Sequence, residues 1–144
     1  MEVSLSNAKQ DVELLMNEWV VFGKNMLAEH GEFFPYGAAM KPDGEIVSLA
    51  VDTGDERPPS QEIIDALIRV FQDGAQEGQY KATALFYDVR MPIQDSDDKT
   101  DAIAVALDHA DNYSVTVFFP YRIENSEPIF DALSAAHGTN NIFL

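Results

Sequence analysis

Three consecutive stretches in the second half of this chain alternate with a period of two. Across residues 80–90, Thr83, Leu85, Tyr87 and Val89 alternate with Ala82, Ala84, Phe86 and Asp88. Across 101–109, Ile103, Val105 and Leu107 alternate with Ala102, Ala104 and Ala106. Across 113–121, Val115, Val117, Phe119 and Tyr121 alternate with Ser114, Thr116 and Phe118. Successive side chains of a strand point to opposite faces, so the pattern fits strands and not helices. Ala110-Asp111-Asn112 is too short for a crossover, so the last two strands pair antiparallel. The alanines of the middle run leave room for something packed close on the second face, a helix being the obvious candidate.

The first half reads differently. Val12, Leu15, Met16, Trp19, Phe22, Gly23, Met26 and Leu27 recur at steps of three and four, the spacing of a helix with one apolar side. Ser6 or Asn7 is suited to cap it and Gly31 to stop it. Gly23 in mid-helix costs about 1 kcal/mol against alanine, which predicts close approach of another backbone. Residues 33–40 and 45–51 read as a hairpin about Pro42-Asp43-Gly44. Pro35 marks a strand start, a bulge or an edge. After a polar loop over 53–59, Ser60 is expected to cap a second helix with Ile63, Ile64, Leu67, Ile68 and Phe71 on its apolar side. Ser126, Pro128, Ile129, Phe130, Leu133 and Ala136 predict a short closing helix that ends at Gly138, followed by a docked tail. The expected order is α-β-β-α-β-β-β-α. That is a single α+β domain over residues 1–144, with one five-stranded antiparallel sheet and packed helices.

Charge limits the function. Twenty-five acidic residues against nine basic ones leave a net charge of −16. Such a field repels nucleic acid and anionic membranes and draws in basic protein surfaces. With no cysteine the chain has no disulfide, thiolate nucleophile or zinc–thiolate site. No signal peptide or membrane span is legible, and a cytoplasmic protein is expected. Asp95, Asp97 and Asp101 fall at calcium-loop positions 1, 3 and 7. Thr100 stands where that loop needs glycine, however, and Ala106 where it needs glutamate. A solvated loop is the expectation, with no metal and no cofactor.

Two aromatic–proline clusters, Phe33-Phe34-Pro35-Tyr36 and Phe118-Phe119-Pro120-Tyr121, cannot put all their rings on one sheet face. Core, subunit interface and ligand groove stay open for them. Trp19, Phe34, Tyr36, Tyr87, Phe118 and Tyr121 are the interface or pocket candidates. A pocket between the sheet and the first helix would take Trp19, Tyr36, Tyr87 and Tyr121 as lining and Asp88, Arg90 and His109 as polar groups. Asp108 and His109, adjacent on a strand, point apart, and His109 is expected on the hairpin surface. No nucleophile is implied beside it, so no catalytic residue is assigned.

Five segments together resemble a family of small bacterial proteins without an assigned activity: Gly31-Glu32-Phe33-Phe34-Pro35-Tyr36-Gly37-Ala38, Pro58-Pro59-Ser60, Ala84-Leu85-Phe86-Tyr87-Asp88-Val89-Arg90, Lys99-Thr100-Asp101-Ala102-Ile103 and Phe119-Pro120-Tyr121-Arg122. The element order is similar to that of roadblock/profilin-like domains. That likeness implies a sheet order of 2-1-5-4-3 and association through helices or sheet edges. The leading expectation is a non-catalytic acidic domain acting by protein–protein contact, with itself (as a homodimer) or a basic protein as partner. The alternatives are a small-ligand binder or enzyme, and an immunity or antitoxin-type inhibitor of a basic protein.

Overall fold

In a computed structural model, residues 5–51, 54, 59–93 and 96–143 are described. The elements are α1 (Leu5–His30), β1 (Tyr36–Met40), β2 (Ile46–Leu49), α2 (Ser60–Gln76), β3 (Ala82–Pro92), β4 (Lys99–His109), β5 (Tyr113–Glu124), β6 (Glu127–Phe130) and β7 (Ser134–His137). All strands pair antiparallel in one sheet of order β2-β1-β3-β4-β5-β6, with β7 also on β5. The α+β class and the antiparallel sheet are as expected. The strand count, the closing element and the strand order are not. β1 pairs with β3, the first strand of the meander, where a 2-1-5-4-3 order would put the last.

The closing helix is replaced by β6 and β7. Asn125 (φ 52°) and Ser126 (φ 66°) both take left-handed conformations and form a two-residue hairpin turn between β5 and β6. Two consecutive positive φ values match the right-handed twist of paired strands, so the chain turns back as a strand. Ser126 is therefore a turn residue, and Pro128 lies in the outer strand, where a missing donor is tolerated. Phe130 sits in register with Tyr121, their ring centroids 5.8 Å apart. Lys24 of α1 lies over the rings of Phe119 and Phe130. Between Phe130 and Ser134 the outer strand uses one residue more than β5 does between Phe118 and Tyr121, a bulge that divides β6 from β7.

The pleat sorts the core into two layers. Tyr36, Ala38, Met40, Ala82, Ala84, Phe86, Ile103, Val105, Leu107, Phe119 and Tyr121 face α1, which contributes Val12, Leu15, Met16, Val20 and Leu27. Ala39, Leu85, Ile63, Leu67, Phe71 and the tail residue Ile142 form the core of the other face, under α2. α2 rests on β1 and β3. Of the β4 alanines on that face, Ala106 packs against the α2 cluster, while Ala104 lies in register between Tyr87 and Phe118. At its start, α2 takes Pro59 as its N-cap with no side-chain cap, so Ser60 is its first residue rather than its cap. Asn7 likewise lies within α1 and not before it. No helix among the described residues is long and apolar enough to cross a membrane.

Gly23 is explained by a side chain and not by another backbone. The Tyr36 hydroxyl accepts from the Gly23 N–H (2.9 Å) and donates to the Trp19 carbonyl (2.7 Å). These are the two groups an unbroken α-helix pairs with each other. A Cβ on Gly23 would stand 2.9 Å from that hydroxyl. The Tyr36 ring stacks on Phe86 (centroids 4.6 Å apart, planes at 4°) and meets Phe22 edge-on. Burial pushes its phenol well above the ordinary tyrosine range.

Gly23→Ala is expected to destabilise the native chain through this clash, although alanine is the better helix former. In a Tyr36→Phe background, which itself costs about 0.5–1.5 kcal/mol, the same change is expected to stabilise by up to about 1 kcal/mol. Urea unfolding of the double-mutant cycle reads this reversal of sign. Additive effects would contradict the account.

Candidate functional site

The α2 face is only half roofed by α2. Over β4 the roof is the C-terminal segment, residues 138–143. Gly138 packs directly on Ser114, where a Cβ would collide with the Ser114 hydroxyl. The Gly138 N–H donates to the Ser114 carbonyl (3.2 Å), and Gln72 of α2 donates to the Asn141 carbonyl (2.7 Å). Ile142 is buried against the second core, so the tail is docked as expected.

Between α2 and this segment lies a recess of about 210 Å³. Ile64, Ile68, Leu85, Tyr87 and Ile142 are among its apolar walls, while Gln61, Thr139 and Asn141 supply neutral polar groups. Thr83 and Asp108 line it too, and they are direct cross-strand neighbours in the β3–β4 register. Thr83 is 1 % exposed, and its hydroxyl has no hydrogen-bond partner among the described residues. Asp108 is 6 % exposed. Its Oδ1 accepts from the Ser114 hydroxyl (2.8 Å), which in turn accepts from the Asn140 N–H (3.0 Å). The carboxylate is thus tied through one serine to the segment that roofs the recess. Burial raises the Asp108 carboxyl above the ordinary range, and the Ser114 hydrogen bond only partly opposes this.

A wider groove of about 670 Å³ runs outside Ile142 and Phe143, past Gln72 and Asp73. It holds no buried polar group, whereas the smaller recess holds two. Native interiors satisfy nearly all such groups, so an orphan hydroxyl beside a desolvated carboxyl sets the smaller site apart.

The residues named from the sequence are scattered. Trp19, Tyr36 and Tyr121 all lie on the α1 face, in a packed layer. Trp19 is half-buried, its indole N–H without a partner among the described residues, and Tyr36 is locked into α1. Tyr87 points to the opposite face and lines the recess. Phe118 shares that face, half-buried, and Phe34 is exposed. At one end of the sheet the Tyr121 hydroxyl donates to Asp88 (2.8 Å), and Arg90 pairs with Asp101 in the open (3.4 Å). Burial raises Asp88, with the Tyr121 hydrogen bond opposing it.

His109 ends β4, far along that strand from Asp101, and is 3 % exposed, not a surface residue. Its Nε2 meets Asp11 of α1 (2.8 Å), and its Nδ1 accepts from the Asp111 N–H (3.0 Å). Lys81 also reaches Asp11 (3.4 Å), so this group clamps α1 to the sheet. His109 and Asp108 do point to opposite faces, one at the α1 clamp and one in the recess. The calcium-loop position Asp95 lies outside the described residues. Among the described ones no group of three or more His, Asp or Glu is arranged to hold a metal.

Asp108→Asn keeps an acceptor for Ser114 and removes the buried charge. Because the folded carboxyl holds its proton more tightly than the unfolded one, its contribution to stability falls as pH rises from the ordinary carboxylate range through the raised value. The Asn variant is therefore expected to be the more stable at neutral pH, with the advantage shrinking in acid. Thr83→Val is expected to stabilise by about 1 kcal/mol by removing the orphan hydroxyl. Thermal unfolding across pH reads both. Destabilisation by both changes at neutral pH would count against this description of the recess.

No protein-family model matches this chain, and no curated protein and no solved structure is significantly similar to it.

Proposed function

We propose that this chain is a small-ligand-binding domain whose site is the recess between α2, the β3–β4 pair and the C-terminal segment. One observation carries the reading: the buried Thr83 hydroxyl without a partner, beside the buried Asp108 carboxyl, in an apolar-walled recess. Leaving a buried hydroxyl unpaired costs about 1–3 kcal/mol, and a bound molecule would recover it. The walls supply contact area and the polar pair supplies orientation, the usual division of labour in ligand sites. The site lies on the opposite side of the sheet from the one expected from the sequence. The recess is smaller than the roughly 300–1,000 Å³ of drug-sized pockets, which points to a ligand of metabolite size.

Amide NMR spectra recorded against a panel of small polar metabolites test this reading. A ligand is expected to shift Thr83, Ala106, Asp108 and Ile142 together and saturably. Ala106→Leu, which adds bulk to the recess, is expected to abolish the shifts while leaving the dispersed spectrum of a folded chain. Ligands that move only residues outside the recess would overturn the reading.

A second reading keeps protein–protein contact as the activity. It is favoured by Leu14 (57 % exposed) and Val21 (49 %) on the outer side of α1, together with the net charge of −16. Leu14 and Val21 are seven residues apart and so share a helix face. Acidic steering toward a basic partner, followed by burial of these side chains, is the mechanism, and an immunity-type inhibitor is a special case of it. Association with such a partner is expected to slow as salt rises, since the Debye length is only about 8 Å at physiological ionic strength. Leu14→Lys with Val21→Lys is expected to speed dissociation. Kinetics indifferent to both salt and these substitutions would remove the reading.

A further inference from the structure

We infer that the recess takes a small organic cation, a primary amine on a compact apolar body, whose ammonium group sits between Asp108 and Thr83. This rests on the ligand-binding reading above and adds the chemical class of the ligand.

The charge inventory of the recess is one-sided. Among the described residues that line it, Asp108 is the only Asp, Glu, Lys, Arg or His. The nearest basic residues in sequence are committed elsewhere: His109 and Lys81 both reach Asp11 of α1. Ser114 gives Asp108 a single hydrogen, to Oδ1. A carboxylate has about four acceptor positions, so most of its capacity remains. A buried carboxylate with one neutral donor is poorly compensated, and an ammonium group supplies both the missing charge and up to three hydrogens.

Geometry makes one nitrogen sufficient. Thr83 and Asp108 face each other across the β3–β4 ladder, a relation that sets Cβ atoms about 4.5–5.5 Å apart. An ammonium group over that pair can donate to the Asp108 carboxylate, and to the Thr83 oxygen once that hydroxyl, closed to solvent as it stands, turns about χ1 toward the recess, which satisfies the orphan hydroxyl as an acceptor. Beyond the pair the walls are apolar, with Ile64, Ile68, Leu85 and Ile142 around the Tyr87 ring. Such walls suit a short alkyl or aryl body. They do not suit a polyamine, whose second ammonium group would find no second carboxylate among the described residues of the recess. The surrounding field of −16 concentrates cations and disfavours anions at the mouth.

Among the described residues, Thr83 of β3 is in register with Asp108, Ser114 of β5 donates to it, and Tyr87, Gln61, Thr139 and Asn141 are the other polar side chains that line the recess. None of them changes charge near neutral pH. The pH dependence of binding therefore reports on Asp108. Amine affinity should weaken as pH falls through the raised Asp108 value, because the protonated carboxyl has no charge to offer.

The test is a matched trio of probes: phenethylamine, 2-phenylethanol and 3-phenylpropionate, titrated into the full chain at neutral pH with amide NMR as the readout. The amine is expected to bind at the recess about tenfold or more tightly than the alcohol, and the acid not at all. Asp108→Asn is expected to cut amine affinity about tenfold or more while leaving alcohol binding unchanged, and Thr83→Val to cut it by a smaller factor. Alcohol or acid binding at the recess as tightly as the amine would overturn the cation assignment while leaving a ligand-binding recess in place. Trio probes that shift no recess amide at millimolar concentration would also overturn it. If the native chain then shows no saturable shift at the recess with any ligand of the wider panel as well, the ligand-binding reading falls with it.

Discussion

The Tyr36 hydroxyl sits inside the hydrogen-bond ladder of α1, and the way the layers meet depends on it. It takes the Gly23 N–H and gives to the Trp19 carbonyl, so one phenol ties the first strand to the middle of a 26-residue helix. A side chain can enter a helix this way only where the helix offers no Cβ in its path. At the helix N-terminal end, Asp11 holds His109 and Lys81. Between these two ties the apolar side of α1 is fixed against Phe86, Val105 and Leu107 in the same layer. The α1 face is closed by this means, with Phe86, Ile103, Val105 and Leu107 packed beside Ala38, Ala82 and Ala84.

The other face is built from smaller material and is closed less completely. β4 presents Ala102, Ala104 and Ala106 there, and α2 reaches β1 and β3. The remaining roof is a short tail, held by Ser114 and Gln72 rather than by a second helix. A recess is the natural result of covering a flat, alanine-lined strand with one helix and one thin segment. Two polar side chains in that recess give it a chemical direction. Stability alone would favour apolar residues at both positions, since Thr83 and Asp108 are each buried with less hydrogen bonding than they are able to use.

Much of this was legible in the chain. The period of two gave the meander, and three- and four-residue steps gave both long helices, because burial on one face imposes those spacings directly. The closing segment has a helical pattern in sequence and a strand in the structure for a physical reason. Ile129, Phe130, Leu133 and Ala136 fit a helical face, and Ser126 with Pro128 imitates a helix start. The competing signal was the continuation of the Phe119, Tyr121, Ile123 alternation into Asn125, a residue that tolerates the left-handed region. The site was harder to see. Tyr87 was a named candidate, but Thr83 and Asp108 become a pair only once β3 and β4 are in register, 25 residues apart in the chain. An aspartate at an inward position of an alternating strand was the available clue. The burial of His109 was out of reach for a similar reason, because its partner Asp11 is 98 residues away.

The account stands or falls on the state of Asp108, and its side-chain carboxyl can be followed by ¹³C NMR through a pH titration with and without phenethylamine. A desolvated carboxylate awaiting a cation should titrate above the ordinary carboxylate range in the free protein, and the amine should pull that value down, since a nearby positive charge favours the ionised form. An Asp108 that titrates in the ordinary range, and does so identically with the amine present, would contradict the claim that this recess is a site for a cation.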